Sequence, residues 1–150
     1  MDIYIPPFLK YWYLTRDGDE YCYDLFKKHY SYNSNKKNRS QKLFCGPGEK
    51  IVLRTWEGDA FFVWRKHLSF SGETRIYCSV FRNESQIKSS ILIQQADEIA
   101  FKVWSDKRHY TYVNAKKIKS NNAGYCFKRA GWKQCGVTKK QKLIILEKFK

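Results

Sequence analysis

The chain has 150 residues, with 29 Lys or Arg against 14 Asp or Glu, giving a formal net charge of +15. Its 43% hydrophobic and 17% aromatic content excludes overall disorder and suffices for one cored domain spanning residues 1–150. No apolar run reaches the ~18 residues of a membrane span, and MDIYIPPFLKYW lacks the basic start and small-residue cleavage site of a secretory signal.

Taken in chain order, Phe8 to Thr15 is an aromatic-rich β-like run, and Asp17-Gly18-Asp19 is a turn that starts a helix over Glu20 to His29. Residues 31–42, SYNSNKKNRSQK, are polar, basic and aperiodic, which predicts a loop. CGPGEK punctuates the chain at 45–50. Ile51 to Trp56 and Ala60 to Lys66 read as a hairpin around Glu57-Gly58-Asp59, and Arg75 to Phe81 as a further strand. Ser89 to Trp104 is the clearest helix, because Leu92, Ala96, Ile99, Ala100 and Val103 fall on one face. Ser89 or Ser90 can cap it. His109 to Val113 is a strand, Ala123 to Ala130 a helix, and Trp132 to Val137 and Leu143 to Leu146 are two last strands.

Five cysteines, Cys22, Cys45, Cys78, Cys126 and Cys135, are scattered singly. An odd count without an export signal predicts reduced thiols and a cytoplasmic protein. No C-x-x-C pair occurs and His and carboxylates are dispersed, so no metal site is predicted. The excess of cations predicts a polyanion partner, DNA foremost, held through phosphate contacts. A merely solvated Lys-rich surface is the plainer alternative.

The segment NNAGYCFKRAGW, residues 121–132, resembles the second half of the GNAT (GCN5-related N-acetyltransferase) core. Asn121 or Asn122, Gly124, Phe127, Gly131 and Trp132 fill its loop-helix-strand pattern. The resemblance implies a layered, α/β/α-like α+β fold with a mixed, mostly antiparallel central sheet flanked by helices. It also implies transfer of a group from a thioester cofactor to an amine. The family's glycine-rich pyrophosphate loop is missing: Ile87 and Ser89 stand where its glycines belong. The donor is therefore not fixed by the sequence; an acyl-CoA-type molecule is what the family implies. Among GNAT-like proteins the chain is most similar to the phage Mom type, which modifies adenine in DNA. It shares His29-Tyr30-Ser31, Arg82, Ser89-Ser90 and Ala130-Gly131-Trp132 with that type. Asn114 stands where the Mom pattern has an acidic residue.

On this reading His29, Tyr30, Arg82 and Glu84 surround the reacting centre, with Glu84 the leading general base. Ser85, Ser89, Ser90, Asn114, Asn122 and Tyr125 line the cofactor site. Lys36, Lys37, Arg39, Arg65, Lys116, Lys117 and Lys119 contact nucleic acid. Each has a plainer role: His29 complements a helix C-terminus, Arg82 pairs internally with Glu84 or Glu98, and the Asn residues serve turns and caps. Two other functions stay open, an N-acetyltransferase acting on a protein or small-molecule amine, and a degenerate scaffold that binds nucleic acid or a nucleotide without catalysis.

Overall fold

The computed structural model describes residues 11–29, 32, 42–118 and 121–150. Seven strands form one sheet among these residues: β1 (Tyr13–Thr15), β2 (Lys50–Arg54), β3 (Ala60–Leu68), β4 (Thr74–Asn83), β5 (Arg108–Val113), β6 (Lys133–Val137) and β7 (Ile144–Phe149). The helices are α1 (Glu20–Phe26), α2 (Ser89–Val103) and α3 (Tyr125–Arg129), with a short 3-10 turn at Ala115–Lys117. The class is α+β, a mixed and mostly antiparallel sheet flanked by helices. The strand order is β1-β2-β3-β4-β5-β7-β6, and β4 with β5 is its parallel pair. The crossover between those two strands is α2, as parallel neighbours require a long connection.

The sheet is buried on both faces where it passes between helices. Phe61, Phe62, Val63 and Trp64 are consecutive in β3 and all fully buried. Phe62 and Trp64 face α2 with Leu92, Ile93 and Ala96, while Phe61 and Val63 face α1 with Cys22, Leu25 and Phe26. Alternation along the strand puts neighbours on opposite sides, so this run needs a helix over each face.

Three indoles fasten α2 to the sheet. Trp12 Nε1 donates to the Leu92 carbonyl at 2.8 Å, Trp64 Nε1 to the Ala96 carbonyl at 2.9 Å, and Trp132 Nε1 to Asp97 Oδ2 at 2.9 Å. Each combines burial of a large apolar ring with a satisfied N–H. Among the described residues no helix is long and apolar enough to cross a membrane.

Several boundaries differ from the sequence expectation. The first helix stops at Phe26 rather than His29, with Lys27 at its C-cap, and His29 lies in the turn beyond. The N-cap of α2 is Lys88, with no side-chain capping bond. The last strand extends to Phe149 because it pairs with β5 along that strand's whole length.

Candidate functional site

The β3–β4 register changes between Val63↔Val80 and Trp64↔Cys78, so Ser79 is an extra residue in β4. A bulge of this kind bends the strand and adds local twist. The parallel ladder to β5 stops at the same level: it joins Ile76, Tyr77 and Cys78 to His109, Tyr110 and Thr111. Beyond it, β4 runs on to Asn83 and β5 to Val113. A cavity of about 140 Å³ occupies the opening, lined by His29, Ser79, Phe81, Thr111, Tyr112, Gly124 and Phe127 among others. The Ser79 hydroxyl is buried and has no hydrogen-bond partner among the described residues.

His29 reaches this cavity because the chain turns sharply after α1, its N–H donating to the Phe26 carbonyl at 2.9 Å. Burial, aided by the nearby Arg82 charge, lowers its pKa from 6.5 to about 4. Both causes disfavour the imidazolium. At neutral pH the ring is therefore uncharged and can accept a hydrogen bond, but it is a weak base.

Arg82 and Glu84 lie where β4 ends. Arg82 Nε donates to Glu84 Oε2 at 2.8 Å and its Nη1 to the Lys28 carbonyl at 3.0 Å. Lys28 Nζ donates to Glu84 Oε1 at 3.1 Å. The three residues thus clamp the end of α1 to the end of β4, with cationic Arg82 on the Lys28 carbonyl just past the negative end of the helix. Hydrogen bonds from Arg82 and Lys28 hold the Glu84 carboxyl below the ordinary range. A carboxylate so favoured in its charged form is a weak proton acceptor, and the lowered pKa of His29 makes its ring a weak base as well.

The turn from β4 into α2 is organised by Asn83. Its Nδ2 donates to the Ile87 carbonyl at 2.7 Å and to Ser89 Oγ at 3.0 Å, and its Oδ1 accepts from the Ser85 N–H at 2.9 Å and from Ser85 Oγ at 2.5 Å. Ser85 Oγ also accepts from the Ile87 N–H. Ser85 and Ser89 are therefore engaged with Asn83, and Ser90 sits half-buried in the first turn of α2. No acidic residue lies in that first turn, so the helix start keeps its positive end.

Asn114 caps the 3-10 turn, its Oδ1 accepting from the Lys116 N–H at 3.2 Å. Asn122 Oδ1 accepts from Lys128 Nζ at 3.0 Å, and Tyr125 is exposed at the start of α3. Lys116 and Lys117 are exposed. Arg65 is held within the fold: Nη2 donates to the Pro47 carbonyl at 2.8 Å and the guanidinium lies 5.7 Å from the Tyr77 ring centre. Tyr30, Lys36, Lys37, Arg39 and Lys119 lie outside the described residues. No group of three or more His, Cys, Asp or Glu suited to a metal ion occurs among the described residues. Burial raises the thiol pKa values of Cys22, Cys45 and Cys78, which leaves them poor nucleophiles.

The structure thus gathers His29, Arg82 and Glu84 at one corner of the opening and the serines at the adjoining helix start. Sequence reasoning missed Ser79, Asn83 and Tyr112. A period-two alternation in RHYTYV marks Tyr112, but nothing in the sequence marks the bulge at Ser79. No family model matches the chain, and no curated protein matches it.

Proposed function

We propose that this chain is a GNAT-like transferase that modifies a nucleobase in DNA, of the Mom type encoded by phages and mobile elements and working in the host cytoplasm. The observation that carries the reading is the opening between β4 and β5. A bulge at Ser79, a cavity and a neutral His29 meet there, and β4 leads on to the start of α2, which has no side-chain cap. This is the arrangement in which the family seats a donor molecule: the bulge precedes the long helix, and the helix start faces the donor's phosphates.

The chemistry that fits is attack of an exocyclic amine nitrogen of the base on an electrophilic carbon of the donor. A new N–C bond forms, the bond to the donor's leaving group breaks with its electron pair, and the amine proton passes to His29. Arg82, fixed by Glu84 and Lys28, holds positive charge beside the site and favours an anionic donor. The donor class is open, because Asn83, Ser85 and Ser89 occupy the segment that a glycine loop would form.

That self-satisfied segment favours a second reading, a binding scaffold without catalysis. Nucleoside mass spectrometry on total DNA from cells expressing the wild type, His29→Ala and Arg82→Ala separates the two. The transferase reading expects a new nucleoside mass in the wild type that both variants lose. Unchanged nucleosides from soluble, DNA-binding wild type would sink it and leave the scaffold.

A further inference from the structure

The sheet carries a second face on the α1 side, on which Tyr110 is buried among its neighbours and Tyr112 is exposed. Lys50, Arg65, Tyr77, Tyr110, Glu147 and Lys133 are partners in register across β2, β3, β4, β5, β7 and β6. They form one cross-strand row and share a face. On β5, Arg108 and Tyr112 alternate onto that face with Tyr110, while buried His109 points to Asp97 of α2 on the other. Among the described residues α1 packs over β3 and β4, and no helix covers β5, β7 or β6 on this side.

The aromatic rings and cations of this face are already arranged in a stack. Tyr77 and Tyr110 lie 5.4 Å apart at 23°, and Tyr112 meets Tyr110 edge-on at 5.5 Å. Arg65 sits over Tyr77 at 5.7 Å and Arg108 over Tyr110 at 5.4 Å. Glu147 is neutralised by Arg108, whose Nε donates to it at 2.8 Å. At one end a recess of about 570 Å³ is lined by Arg75, Lys107, Arg108 and Tyr110 together with Glu73 and Asp106, so its cations outnumber its carboxylates by three to two. At the other end stands Tyr112, 39% exposed and also part of the lining of the β4–β5 cavity.

We propose that this tyrosine–arginine face binds an unpaired polynucleotide strand, with a base stacked on Tyr112 and phosphates held by Arg75 and its neighbours. Flat, rigid rings flanked by cations suit bases and backbone together, whereas a duplex hides the faces of its bases. The chain's net charge of +15 supplies the matching sign, and a second copy of so basic a chain is repelled. The proposal goes beyond the transferase reading and needs none of its chemistry.

The test is fluorescence anisotropy with the full chain, a single-stranded oligonucleotide of about 15 nucleotides and its duplex, over a range of salt. Tyr112→Leu keeps an apolar side chain but removes the ring, and should weaken single-strand binding about tenfold. Arg75→Ala should lower the slope of log affinity against log salt by about 0.7. Lys102→Ala, on α2 across the sheet, should change neither. Circular dichroism confirms that each variant is folded, and exposed Arg75 provides a variant without packing consequences. Binding unchanged in Tyr112→Leu and Arg75→Ala, or duplex bound as tightly as single strand, overturns the proposal. So does a concentration-dependent dimer that Tyr112→Leu dissociates, which would make the face a self-association surface. Because no donor is present, these results stand apart from whether DNA is modified in cells.

Discussion

Asp97 on α2 and His109 on β5 are joined by a fully buried hydrogen bond, Oδ1 to Nδ1 at 2.7 Å. The second carboxylate oxygen accepts from Trp132 Nε1, and the imidazole stacks on Phe101 at 3.8 Å. One carboxylate therefore ties the long helix to β5 and to the residue that leads into β6. Asp97→Ala leaves two buried donors without a partner and should cost about 3 kcal/mol or more. The shift of the urea midpoint measures it. A variant as stable as the wild type would show that the pair contributes nothing net.

Asn83 predicts a more local effect. Asn83→Ala removes the acceptor for Ser85 and the donor to Ile87 and Ser89. It should cost about 1–2 kcal/mol and speed amide exchange in residues 85–92, leaving β2 and β3 protected. If exchange there is unchanged, Asn83 does not organise the turn.

Gly124 sits at a φ of +79°, and a Cβ added there would lie 2.6 Å from Leu146 Cδ1. Leu146 is fully buried and cannot swing away. Gly124→Ala should therefore lose about 1–3 kcal/mol from backbone strain and overpacking, and narrow the cavity that Gly124 lines. A thermal melt reads the first effect. An unaltered melting temperature would mean that Leu146 repacks without penalty.

His29 predicts a pH dependence. Its pKa falls from 6.5 to about 4 on folding, so between those values the unfolded chain binds more protons than the folded one. Its contribution to stability is present above pH 6.5 and is lost as the pH falls through about 4. His29→Gln should decline less steeply than the wild type across that window in denaturant midpoints. Parallel declines would place His29 in a solvated setting.

Much of the frame was legible in the sequence because it rests on local periodicity. The face of α2 is written in the spacing of Leu92, Ala96, Ile99 and Ala100, and all four are buried. Asp19 is legible as a helix start, and its side chain accepts from the Cys22 N–H. The GNAT and Mom resemblance of the site residues, by contrast, rests on short motifs, and the comparisons with known proteins neither add to it nor remove it.

The sequence by itself determined the number and kind of most elements, since hydrophobic period, caps and turn residues act over a few positions. Only the tertiary structure decided which residues meet. Pairing β5 with β4 set Tyr110 against Tyr77. The turn after α1 set His29 into the opening, and the end of β4 brought Glu84 between Arg82 and Lys28, residues far apart in the chain. Those meetings alone lower the His29 and Glu84 pKa values, because burial and neighbouring charge are properties of a packed volume and have no counterpart along the chain.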